Sequence, residues 1–248
     1  MSEFPESRSR AFQVEGLVNA RDLGGLRRCD HSVTPSGVFY RSENVDWVSP
    51  TGWEQLRTAG IRTVVDLRQP GERACDTSPR PQWIATVEVD LDGLENTEFW
   101  KGYWDNRLIA TALYYLPHLD AMPERAVAAL SAIVNAPPGG VLFHCMGGRD
   151  RTGMIAMLLL TAANTEVDAI VDDYLETVHT SGLRAGTSNR NTTEAELEEI
   201  CRIQGTTTEG AFRAAIARLD LEMVLSTAGM SPRDREALMT WRGRISAD

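Results

Sequence analysis

Apolar positions along this 248-residue chain follow two periods, one suited to strands and one to helices. Four short runs predict strands. They lie at 37–40 (with Val38-Phe39-Tyr40), 61–67 (IRTVVDL), 83–91 (WIATVEVDL) and 140–144, the last after the breaker Pro137-Pro138-Gly139-Gly140. The second and fourth are continuous rather than alternating, as in strands covered on both faces of a parallel sheet. Between them apolar residues recur at helical spacing: Leu108, Ile109, Ala112, Leu113, Leu116 and Leu119, then Val127, Leu130, Ile133 and Val134.

Several helix starts are legible. Ser49-Pro50 supplies an N-cap with proline in the first turn, leading into a helix over 52–59. Thr165 with Asp168 resembles a capping box before 169–178, and Thr193 with Glu196 a fuller one before 197–203. Ser231-Pro232 opens a last helix over 233–244, and another runs from about Thr152 to Ala163. Strands alternating with helices, followed by a helical C-terminal part, predict an α/β fold with a central, mostly parallel sheet flanked by helices. No repeat or linker divides the chain, so 1–248 reads as a single domain. Residues 179–210 stand apart: they are polar and rich in Gly, Thr, Ser and Asn, which fits either a solvated excursion or a mobile lid over a site.

Composition narrows the function. A net charge of −10 repels nucleic acid and anionic membranes, so no nucleic-acid partner is expected, and any phosphate must be held by local positive groups. The four cysteines form no Cys-x-x-Cys pair and the four histidines no metal-ligand spacing, so neither a metal nor a cofactor is expected. No apolar leader opens the sequence, and the apolar run 154–163 is far short of a membrane span. These signs predict a cytoplasmic protein without stable membrane insertion; export by a route lacking a signal peptide leaves no mark on a sequence.

The chemistry concentrates in one segment: Val141-Leu142-Phe143-His144-Cys145-Met146-Gly147-Gly148-Arg149-Asp150-Arg151-Thr152-Gly153. A buried strand passes through a tight glycine loop into a helix, and a helix N-terminus turns free N–H groups and positive potential toward the loop. That is an anion site, with phosphate its usual occupant. Met146, Gly147, Gly148, Arg149, Arg151 and Thr152 are therefore the candidate phosphate-binding residues. Cys145 at the foot of the loop lies where helix terminus, amides and cations favour a thiolate, which makes it the candidate nucleophile. Arg151, six positions on, presents a planar fork suited to two phosphoryl oxygens. Thr152 has a hydroxyl in position to serve the sulfur. A lone Cys after a strand is usually apolar filler, and Gly-Gly usually a turn; together with Arg-Thr-Gly and an apolar helix they are not.

His144-Cys145-x5-Arg151-Thr152 resembles the signature of the cysteine-dependent protein tyrosine phosphatases. The inner form Cys-x-x-Gly-x-Asp-Arg-Thr-Gly is similar to the bacterial branch of that family. Asn19-Ala20-Arg21-Asp22-Leu23-Gly24-Gly25, Tyr40-Arg41-Ser42, IRTVVDLRQPGE over 61–72 and Asp173-Tyr174-Leu175 extend the likeness. The resemblance implies a cysteine-phosphatase fold, metal-independent hydrolysis and a cysteinyl-phosphate intermediate. It also implies a general acid inside the loop, Asp150; Asp105, in the Trp104-Asp105 pair of a stretch over 95–107 that otherwise reads as an aromatic, polar loop, remains the rival. The expected partner is a phosphorylated protein, with phosphotyrosine foremost, or a phosphoinositide. An inert phospho-binding module on the same loop is the competing class. The branch commonly carries Lys where Arg149 stands, which bears on phosphoinositide activity. Arg21, Asp22, Arg41, Asp66 and Arg68 read as polar supports beneath the loop.

Overall fold

The computed structural model of the chain describes residues 10–76, 78–181 and 192–246. Five strands form one sheet in the order β1-β2-β5-β3-β4: β1 (Arg21–Asp22), β2 (Phe39–Ser42), β3 (Ile61–Asp66), β4 (Ala85–Glu88) and β5 (Gly140–His144). Only the β1–β2 pair is antiparallel. The mostly parallel α/β sheet expected from the continuous apolar runs is thus present. Alternating side chains feed two cores. Phe39, Val65, Val141 and Phe143 face the larger one, whereas Tyr40, Val64 and Leu142 face the smaller one, beside Trp53 and Leu56.

The first helices are α1 (Pro50–Thr58), α2 (Pro70–Arg73), α3 (Thr97–Asp105), α4 (Tyr115–Ala121) and α5 (Pro123–Val134). They are followed by α6 (Asp150–Ala162), α7 (Val167–His179), α8 (Glu194–Ile203), α9 (Thr208–Arg218), α10 (Leu221–Thr227) and α11 (Pro232–Met239). Ser49 caps α1 through Gly52, and the Thr193–Glu196 capping box of α8 is formed on both sides. Helix α6 is buried almost all round, because it lies between the sheet and a second layer that includes α5, α7, α10 and α11. Each fully buried Ile or Leu along it contributes on the order of 1.5–3 kcal/mol of burial energy.

Four expectations need correction. The Thr165–Asp168 box is absent: Glu166 precedes α7 without a side-chain cap, and backbone bonds to residues 27 and 28 pin the entry instead. The last helix stops at Met239, because Trp241 and Arg242 adopt left-handed backbone (φ 52° and 56°). Residues 108–111 form a turn with Ala110 at φ 71°, so the spacing from Leu108 becomes a continuous α-helix only at Tyr115. The stretch 95–107, read as an aromatic loop, contains α3. Of the excursion over 179–210, residues 182–191 lie outside the described residues; the remainder holds the end of α7, all of α8 and the start of α9.

Candidate active site

The four parallel strands end in register, with Ser42, His144, Asp66 and Glu88 side by side. Crevices beyond the carboxyl ends of parallel strands are where open α/β sheets bind ligands. β5, in the middle, releases its chain here as the loop 145–149, and α6 begins at Asp150. Cys145 has no solvent exposure and forms no disulfide.

The loop is shaped by its neighbours. Gly148 sits at φ +65°, and a Cβ there would lie 2.6 Å from the Ser42 carbonyl oxygen and 2.7 Å from the Glu43 nitrogen. Only glycine satisfies both the dihedral and the space. Asn44 N–H donates to the Met146 carbonyl (3.1 Å), and Arg41 Nη2 donates to the Gly148 carbonyl (2.8 Å). Arg41 is in turn fixed by buried Asp173, 2.6 Å from its Nη1, and the same carboxylate pairs with Arg21 and Arg10. Burial opposes the Asp173 charge, yet the three guanidiniums hold its pKa far below the carboxylate range. The expected supports therefore divide. Arg41 bonds the loop directly and Arg21 acts on it through the shared Asp173, while Asp22 accepts from the Gly24 and Gly37 amides.

Asp66 and Arg68 work below His144. Arg68 donates to Asp66 and to Asp46, and burial is outweighed at Asp66 by His144 and Arg68, which bring its pKa to about 2. His144 is fully buried, its Nδ1 3.2 Å from the Cys145 carbonyl oxygen and its Nε2 3.7 Å from Asp66. Burial lowers its pKa to about 4, so the imidazole beneath Cys145 is neutral at pH 7.

Arg151 has partners that the sequence reading missed. Glu72 takes both terminal nitrogens, Oε1 accepting from Nη2 at 2.8 Å and Oε2 from Nη1, and Asp92 Oδ2 stands 2.9 Å from Nη1. Burial opposes the charge, but Asp92, Glu72 and Cys145 push the Arg151 pKa well above its usual value. Glu72 carried a signal, as the last residue of the Gln69-Pro70-Gly71-Glu72 capping box that forms at the start of α2. Asp92, in an Asp-Gly turn beyond β4, carried none.

Asp150 is 1% exposed in the first turn of α6, its Oδ1 3.2 Å from Arg149 Nη1. Asp105 is exposed at the end of α3. Arg149 is 3% exposed and turned among other groups: it donates to the Ala110 carbonyl, pairs with Glu194 and lies over the Tyr174 ring. Thr152 Oγ1 is buried without a hydrogen-bond partner among the described residues. Among those residues no group of three or more His, Cys, Asp or Glu side chains is placed to hold a metal ion.

A cysteine at the foot of a glycine loop, an arginine six residues on and a helix N-terminus beneath it is the arrangement carried by the resemblance, and a family model matches it across residues 12–241. The chain belongs to the tyrosine phosphatase family. A protein of Cupriavidus necator, provisionally named a tyrosine-protein phosphatase, is 34% identical over 174 residues, covering 64% of this chain and 60% of that protein. A tyrosine-protein phosphatase of Nostoc commune is 27% identical over 182 residues, with 71% and 61% covered. The triple-specificity protein phosphatase PtpB of Mycobacterium tuberculosis is 27% identical over 197 residues, with 66% and 67% covered. The matches thus span about 60% of the first two relatives' own length. The loop's groups sit where the parallel strands β2, β5 and β3 end. None of the helices among the described residues is long and apolar enough to cross a membrane.

Proposed function

We propose that this chain hydrolyses phosphate monoesters, phosphotyrosine in proteins foremost, through a cysteinyl-phosphate intermediate on Cys145. The observation that carries the reading is the pairing of a fully buried Cys145 with an Arg151 whose guanidinium is fixed by Glu72 and Asp92. In-line transfer needs a positioned nucleophile and neutralised equatorial oxygens, and little else from the protein. The loop from Met146 to Thr152 cradles the phosphate with its amides and with Arg151. Cys145 Sγ attacks phosphorus as the ester P–O bond breaks, and Asp150 gives its proton to the departing oxygen. The Thr152 hydroxyl, buried and unpaired, serves the sulfur as it leaves. Water then attacks the thiophosphate, Asp150 taking up its proton, and phosphate departs.

The recessed sulfur supports phosphotyrosine over the shorter phosphoserine, because the longer side chain reaches further into the fold. A relative named for triple specificity supports more than one substrate class, and phosphoserine/threonine and phosphoinositides stay as the second substrates that the loop resemblance implies. The place of Asp150, beside Arg151 at the loop, supports it as the acid, whereas Asp105 is exposed at the end of α3.

The experiment is phosphate release from phosphopeptides, phosphoinositides and nucleotides by the wild type and Cys145→Ser. The wild type turns over phosphotyrosine, resists chelators and is inhibited by vanadate; the Ser variant binds phosphate without turnover. Substantial turnover by Cys145→Ser overturns the covalent route.

A further inference from the structure

The loop has two guanidiniums, and each is already paired with carboxylates. Arg151 faces Glu72 and Asp92; Arg149 faces Asp150 and Glu194. The last of these comes from a distant helix. On α8, Glu194, Leu197 and Cys201 are spaced three and four apart and so share one face. Leu197 and Cys201 are buried, and the Glu194 side chain at the end of that face is one-fifth exposed. Its Oε2 lies 2.9 Å from Arg149 Nη2.

Arg149 is held on its other sides as well. The left-handed turn at Ala110 aims a carbonyl at its Nη1, and its Cζ lies 5.5 Å from the centre of the Tyr174 ring. Tyr174 stacks on Phe212 of α9 at 4.0 Å, which keeps that wall rigid. A buried guanidinium needs a counter-ion, and removing one partner leaves the other uncompensated. Arg149 therefore has little positive charge left to offer an incoming anion while Glu194 is in place.

We propose that Glu194 is a specificity-determining residue: by occupying Arg149 it leaves the loop able to take one isolated phosphate and turns away ligands carrying a second phosphate beside the first. The inference rests on the phosphatase reading of the Cys145 loop. A single phosphate is served by the loop amides, the α6 N-terminus and Arg151. A second one meets Asp150, Glu194, Glu72 and Asp92 around the loop, and must displace Glu194 to gain a cation. Singly phosphorylated side chains are thereby favoured over polyphosphorylated headgroups.

The test compares binding of inorganic phosphate and pyrophosphate by calorimetry, in the full chain carrying Cys145→Ser to prevent turnover. Without further change, pyrophosphate binds no more than about threefold tighter than phosphate. Glu194→Gln keeps the shape and the helix turn but removes the charge. It is expected to tighten pyrophosphate about tenfold relative to phosphate, and Glu194→Ala to do the same, whereas Glu194→Asp stays near the parent. In an Arg149→Met background, Glu194→Gln has no such effect. An equal shift for both anions, an unchanged ratio in Gln and Ala alike, or a gain that persists without Arg149 overturns the proposal. Because binding is read without turnover, a chain that hydrolyses phosphotyrosine but shows no change in selectivity overturns this inference alone. A chain with Cys145 intact that binds phosphate and turns over no ester overturns the reading of the site.

Discussion

Glu72 holds Arg151 across 79 residues of chain, with Oε1 accepting from Nη2 at 2.8 Å and Oε2 from Nη1. The contact exists because β3 and β5 are parallel neighbours whose ends coincide, so α2, just beyond β3, lies against the start of α6. Glu72→Gln removes a charge from this clamp while leaving Asp92. Misplacing a positioned group by about an ångström costs about 10²-fold in rate. We expect kcat for a phosphotyrosine ester to fall about 10–100-fold, with further loss when Asp92→Asn is added. A Glu72→Gln variant with wild-type kinetics removes Glu72 from this role.

Gly148→Ala places a methyl group 2.6 Å from the Ser42 carbonyl oxygen on a left-handed backbone. Either the loop or β2 must shift. Strain of this kind costs about 1–3 kcal/mol, and the shift also moves the Arg41 bond to the Gly148 carbonyl. Reduced unfolding free energy together with weaker phosphate binding is the expected result, measured by denaturant titration and calorimetry. Retention of both contradicts the close approach.

Asp150→Asn is expected to slow phosphotyrosine hydrolysis about 10²–10⁴-fold while sparing a dinitrophenyl phosphate, whose leaving group needs no proton. Asp105→Asn, at the exposed end of α3, is expected to do little. The reverse pattern assigns the acid to Asp105.

Acid stability provides a test of the buried histidine. Unfolded, His144 takes up a proton near 6.5; folded, burial delays this to about 4. Between those values the unfolded chain holds more protons, so stability rises with pH through the window and its full value is present above 6.5. The loss on going down to pH 4 amounts to no more than about 3 kcal/mol. Below it, Asp66, with its pKa brought to about 2 from 3.8, adds a further loss across that lower range. His144→Gln flattens the upper window and, because His144 is one of the groups that lower the Asp66 pKa, shrinks the lower loss as well. Urea unfolding at several pH values measures both slopes, and an unchanged upper slope in the variant assigns it to another group.

The local chemistry was legible in the sequence because it is written in consecutive residues. Strand, glycine loop, Cys145, Arg151 and apolar helix all fall within 140–162, where period and turn chemistry act over a few positions. The parallel sheet was legible for the same reason, through continuous apolar runs. Helix α3 was not: Gly102 within it reads as a breaker in the sequence, and its Phe99, Trp100 and Tyr103 are held by Tyr114 and His118 from beyond the next turn. The C-terminal stop at Met239 depended on backbone dihedrals that Trp241 and Arg242 adopt while Trp241 packs on Phe39. Which acids pair with the two loop arginines was also out of reach, although the capping box marked Glu72 for a local role. Glu72, Asp92 and Glu194 are three acids among 35, and a charge leaves no periodic trace of what it pairs with. The strand register decides that Glu72 and Asp92 meet Arg151, and the docking of α8 decides that Glu194 meets Arg149. Both are set by which apolar faces pack together, and charges far apart in the chain become neighbours only after that packing is complete.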